Sequence, residues 1–135
     1  MENTYTIQQI AAMTGLSTHT LRYYERIDLL HPISRDSIGY RYYTDGDIAW
    51  IEFLIRLRQT GMPISEMKQF SELRSQGDHT AGQRRELLEQ HRLHIHEQMI
   101  RLQQDLSHME KKIDYYRDLE AEQITKQYPG GATYE

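Results

Sequence analysis

The side chains best suited to chemistry in this chain of 135 residues are concentrated between Leu16 and Tyr43, in LSTHTLRYYERIDLLHPISRDSIGYRYY. Arg22-Tyr23-Tyr24 and Tyr40-Arg41-Tyr42-Tyr43 present the same inventory twice. Arginine offers a planar fork of donors to phosphate or to guanine, while Tyr, Thr and His can hold phosphate oxygens or base edges. Such a set predicts a surface that reads nucleic acid. No nucleophile, metal-ligand set or Gly-rich phosphate loop stands at a recognisable spacing, so neither a catalytic residue nor a cofactor is expected.

The remaining reactive types narrow the chemistry further. The chain has no Cys, which excludes disulfides, thiolate metal sites and cysteine nucleophiles. His91, His94 and His96 invite a metal reading, but His94 and His96 lie about 200° apart on a helix and His91 with His94 supplies only two ligands. All three are therefore read as solvated flanks of a long helix, and no metal site is expected. Trp50 with Phe53, and Tyr115 with Tyr116, are the residues an organic small-molecule effector would use, although packing is the commoner fate of such pairs.

These residues need elements to hold them. Thr6 is a candidate N-cap for a helix with Ile7, Ile10 and Ala11 on one face, broken at Thr14-Gly15; Ser17 caps a second helix running to Ile27. Two helices joined by a short Gly-containing turn are the helix-turn-helix signature. At about 100° per residue, Thr18, His19, Arg22 and Arg26 share a polar stripe with Tyr23 at its margin, while Leu21, Tyr24 and Ile27 face the other way. Beyond Pro32, residues 33–35 and 40–43 read as a β-hairpin around Asp36-Ser37-Ile38-Gly39, a wing in which alternation pairs Tyr40 with Tyr42 and Arg41 with Tyr43. That alternation and the helical angle turn Tyr24 and Tyr43 inward.

Thr44 and Asp47 form a capping box for a helix carrying Ile48, Ile51, Leu54, Ile55 and Leu57 and ending at Gly61. Pro63 opens another, with Ile64, Met67, Phe70 and Leu73 spaced three apart. Thr80 with Gln83 is read as a further capping box opening the longest helix, residues 80–122. There Ile95, Met99, Leu102, Leu106, Met109, Ile113 and Tyr116 alternate in steps of four and three, extended backward by Leu88, a heptad seam for coiled-coil dimerisation. The expected division is a head at 1–75, a coiled-coil helix at 79–122 and a flexible tail at 123–135, of mainly α class.

Charge is distributed against a simple DNA reading. Residues 1–74 carry 8 Lys+Arg and 9 Asp+Glu, the remainder 8 and 11, which gives 16 − 20 = −4 in all. Binding needs a positive face and not a positive total, but the slightly acidic head keeps open an alternative, a coiled-coil adaptor that docks on protein. No apolar run is long enough to span a bilayer and no signal-peptide layout is present at the N-terminus, so a cytoplasmic location and no membrane partner are expected.

The combination of LRYYE in a helix-turn-helix, a wing closing on GYRYY, a helix pair around RLRQTGMPISEMKQF and a terminal coiled-coil helix resembles the MerR family of bacterial transcription regulators. The resemblance covers the chain from Tyr5 to about Leu119. It implies a winged helix-turn-helix head and an antiparallel coiled-coil homodimer. It also implies binding to double-stranded promoter DNA, with distortion of an overlong spacer so that RNA polymerase can engage both promoter elements. Residue by residue it places Thr18, His19, Arg22 and Tyr23 on the recognition helix, Arg35, Tyr40 and Arg41 on the wing, and Arg58 near the following helix pair. The family's metal and thiol sensors use cysteines, which this chain lacks. With few residues after Glu120, an effector is expected between head and coil or at the dimer interface.

Overall fold

A computed structural model describes residues 3–30 and 34–127. The elements run β1 (Thr4–Tyr5), α1 (Ile7–Thr14), α2 (Thr18–Arg26), β2 (Ser34–Arg35), β3 (Arg41–Thr44), α3 (Asp45–Gln59), α4 (Ile64–Gln76), a 3-10 turn (Asp78–Thr80) and α5 (Ala81–Gln127). This is the winged helix-turn-helix head followed by a long helix that the sequence predicts.

Local chemistry sets most of the boundaries. Thr6 caps α1 in a full capping box with Gln9, and Gly15 ends that helix in the left-handed conformation at φ 80°. Ser17 accepts from the Thr20 amide and so starts α2 at once. The Thr44–Asp47 capping box opens α3. At the far end of α2 there is no glycine; Asp28 takes the left-handed position at φ 66°. Asp28 N donates to Glu25 O at 3.1 Å and Leu29 N to Tyr24 O at 2.8 Å, the paired bonds of a Schellman motif. Tertiary contacts support that turn, because Trp50 Nε1 donates to Leu29 O at 2.8 Å and Ser71 Oγ to Asp28 O at 3.3 Å.

The sheet has the order β1-β3-β2, antiparallel throughout, with Tyr5 opposite Tyr43 and Arg35 opposite Arg41. Strand β1 is not foreseen by the sequence reading. The expected second wing strand begins one residue later than Tyr40, at Arg41, and Ile33 lies outside the described residues. Tyr43 is fully buried and Tyr24 nearly so, as their predicted orientations require. Ile7, Ile10, Leu21, Ile51, Leu54 and Met67 complete the centre of the core.

Two expectations are corrected, those for His91 and Thr80. Trp50, by contrast, packs as the sequence reading favours: its ring stacks on Phe70 at 5.9 Å and meets Phe53 at 5.8 Å, under the Arg74 guanidinium at 4.3 Å. His91 is not solvated; it is 5% exposed, and its Nε2 lies 2.7 Å from Thr60 Oγ1 at the end of α3. Thr80 forms no capping box, because its hydroxyl proton is shared between Leu73 O at 2.6 Å and Gly77 O at 2.8 Å while its oxygen accepts from Arg84 Nε, so it locks the turn before α5.

The chain divides into two units, Met1–His91 and Arg92–Glu135. The first therefore takes in the opening turns of α5, where Leu87 and Leu88 pack against the head core. Leu88, expected in the dimerisation seam, is thus engaged with the head of its own chain. In the second unit α5 continues past residue 122 to Gln127, and residues 128–135 of the predicted tail lie outside the described residues. Ile95 is half-buried, whereas Met99, Leu102, Leu106, Met109, Ile113 and Tyr116 stand exposed, from 49% for Ile113 to 67% for Leu102. No described helix is long and apolar enough to cross a membrane.

Candidate nucleic-acid interface

The outward face of α2 carries the predicted stripe. His19, Arg22 and Arg26 are exposed and Thr18 is half-buried, while Leu21 and Tyr24 anchor the opposite side in the core. Among the described residues Arg22 makes no hydrogen bond or ion pair, so its full set of donors is available. Tyr23 is half-buried between the Tyr24 ring at 6.1 Å and the Arg26 guanidinium at 5.8 Å. Its ring is committed to packing on the helix surface.

The wing is a tight hairpin. Asp36 Oδ1 accepts from Ile38 N at 2.9 Å and Tyr40 N at 3.0 Å, and Gly39 takes φ 95°, which a side chain would disfavour. Tyr40 is exposed at the base of this loop. Arg35 and Arg41, opposite each other across the ladder, both reach Glu25 on α2. Arg41 Nε donates to Glu25 Oε2 at 2.5 Å, and Arg35 Nη2 lies 3.6 Å from Glu25 Oε1. Arg35 Nη1 also donates to Gly39 O at 2.9 Å.

A cleft of about 780 Å³ separates the wing from the start of the chain, lined by Arg22, Arg41, Tyr40 and Tyr42 on one side and by residues 4–9 on the other. Arg22, Tyr40 and Arg41 therefore share one concave surface, with β1 and the N-terminus of α1 as its second wall. Arg58 does not line it; its Nη1 donates to Met62 O at 3.3 Å beyond the end of α3. Behind the cleft, burial raises the Tyr43 hydroxyl above its ordinary pKa of 10.0, Glu25 adds to the rise, and Arg41 and Arg22 oppose it. That hydroxyl has no hydrogen-bond partner among the described residues.

Two contributors escape the sequence reading. Glu25 has no part in the sequence-based surface, yet it pairs with both wing arginines. The wall formed by residues 4–9 depends on β1 pairing with β3, for which a two-residue strand leaves no periodicity to read.

Residues 5–73 match the MerR HTH family regulatory protein family, and residues 48–114 match the MerR DNA-binding family. The chain belongs to the MerR family. An HTH-type transcriptional regulator of Haemophilus influenzae is 35% identical over 118 residues, covering 87% of each chain. AdhR, an HTH-type transcriptional regulator of Bacillus subtilis, is 40% identical over 61% of this chain and 59% of its own length. Among solved structures, a protein of Listeria monocytogenes assigned to the MerR family superposes with a TM-score of 0.87 at 31% identity, covering 95% of this chain and 98% of that one. HiNmlR, a MerR family regulator lacking the sensor domain and solved bound to promoter DNA, gives 0.80 at 33% identity, covering 94% and 96%. As a MerR-family member the chain is a DNA-binding transcription regulator, a family that is not enzymatic, and the adaptor alternative has no support among these relatives.

Proposed function

We propose that this MerR-family regulator binds promoter DNA as a homodimer, with α2 in the major groove and the wing on the adjoining backbone. The observation that carries the reading is the cleft in which Arg22, without a hydrogen bond or ion pair among the described residues, stands beside Arg41 and Tyr40, on the same helix face as Thr18 and His19. HiNmlR, similar over nearly the whole chain, is solved on promoter DNA. In this reading Arg22 and His19 meet base edges or phosphates, Arg35, Tyr40 and Arg41 meet phosphates, and Tyr23 and Arg58 contact at the margins.

The exposed apolar row from Met99 to Tyr116, with Ile95, supplies the dimer contact, since a seam of this spacing left in water would be costly. A groove of about 360 Å³ along this row, lined by Met109, Ile113 and Tyr116 with Lys112, Arg117 and Glu120, belongs to the surface the second copy covers. Antiparallel pairing of two such helices, distortion of a long promoter spacer and delivery of the promoter to RNA polymerase are proposed with it, as is a cytoplasmic location. Trp50 and Phe53 are packed on Phe70, so Tyr115 and Tyr116 are the aromatic residues left for an organic effector, on the stretch of α5 that carries the seam.

Footprinting of the purified protein on its own upstream region, with and without Arg22→Ala, tests the reading. The variant is expected to lose roughly 1–3 kcal/mol of specific binding while its stability changes by no more than about 0.5 kcal/mol. Unchanged operator affinity refutes the role of Arg22, and absence of any protected site with wild-type protein refutes promoter binding.

A further inference from the structure

We infer that Glu25 is a positioning residue for DNA binding: it holds the two wing arginines in register with the recognition helix. The inference rests on the proposed DNA-reading face. An acidic side chain beside that face is at first sight a liability, since a carboxylate repels phosphate. Glu25, however, is not presented to the solvent as a bare charge. It is largely covered, with Arg41 on Oε2 and Arg35 facing Oε1, so that one carboxylate lies between two guanidiniums and the group as a whole remains cationic.

The geometry leaves the arginines able to act. A guanidinium carries five N–H donors. Arg41 gives its Nε to Glu25, and both of its Nη groups remain for a phosphate. Arg35 is anchored through Nη1 on Gly39 O and approaches Glu25 with Nη2, and at 48% exposure it still faces water. β3 is also held by its pairing with β1 and by the buried Tyr43, and the Glu25 contacts tie the wing arginines directly to α2. Free arginine side chains lose rotamer freedom when they dock on phosphate; these two have already lost part of it, which is preorganisation.

Plain electrostatics and positioning predict opposite signs for Glu25→Gln, which removes one negative charge and keeps the side-chain size. A bystander carboxylate would on removal strengthen binding and steepen its salt dependence. A positioning carboxylate would on removal weaken specific binding about tenfold and make the salt slope shallower by about 1, as a phosphate contact is lost. The experiment is a salt titration of wild-type and Glu25→Gln protein on operator and on unrelated duplex DNA. In an Arg35→Gln, Arg41→Gln background, Glu25→Gln should bring no further loss. Wild-type protein offers a second readout that needs no variant. The Arg41 Nε–H resonance in an arginine-detected NMR spectrum should stay exchange-protected both free and on operator. Equal or tighter operator binding by Glu25→Gln, or collapse of that resonance to free-arginine behaviour on DNA, overturns the inference. Loss of sequence-specific binding by the wild type itself would instead overturn the reading beneath it.

Discussion

Tyr43 shows at the scale of one residue how the head trades polar satisfaction for a fixed wing. Its ring is fully buried in the head core, and its hydroxyl is buried without a partner among the described residues. An unsatisfied buried hydroxyl costs about 1–3 kcal/mol, so Tyr43→Phe is expected to stabilise the protein by up to about 1 kcal/mol after packing losses. Chemical denaturation would show this, and a destabilised variant would mean that the hydroxyl has a partner in solution. The same residue sets a pH dependence. Its folded-state pKa lies above 10.0 because burial disfavours the phenolate. Between 10.0 and that raised value the native state keeps a proton the unfolded chain has released, so stability falls as pH rises through this window and is unaffected below it. Tyr43→Phe should decline less steeply there than wild type, with Tyr24, also raised by burial, still contributing.

Helix α5 does two different jobs along its length. Its first turns are part of the head, held by Leu87, Leu88 and the buried His91 against Thr60, whereas the turns from Met99 onward present apolar side chains to water. Leu106→Glu places a charge in that row and is expected to give a monomer by sedimentation with the helical content of the head retained; a variant that still sediments as a dimer would place the contact elsewhere. Loss of the second head should also reduce operator affinity by a factor of roughly 100 or more, since two linked sites bind by avidity. Leu88→Ala, by contrast, is expected to lower stability and leave the dimer in place, because the side chain packs on its own head.

For the molecule as a whole, the absence of Cys removes thiolate metal capture and sulfenate or disulfide switching. His91 is occupied, and among the described residues no group of three metal-ligating side chains is assembled. Titration of the operator complex with mercury, copper, zinc and a thiol oxidant is expected to leave DNA affinity unchanged; a stoichiometric, reversible response to any of them would reverse this. The net charge of −4 also has a consequence. Binding must come from a local positive face in a chain that repels DNA overall, so affinity should fall steeply with salt.

What the sequence determined by itself was whatever depends on neighbours three or four residues apart. The Thr6, Ser17 and Thr44 caps, the inward Leu21 and Tyr24, the outward Arg22 and the heptad spacing of α5 are local patterns, and helix geometry converts them directly into faces. Tertiary structure decided the rest. Glu25 meets Arg41 across 16 residues, Trp50 reaches Leu29 across 21, His91 meets Thr60 across 31 and Tyr5 reaches Asp45 across 40. No spacing rule announces such partners, because each pair is brought together only after separate elements pack. For that reason the polar stripe of α2 could be read in advance, while the Glu25 carboxylate that pairs with the wing arginines, the second wall of the cleft and the burial of His91 could not.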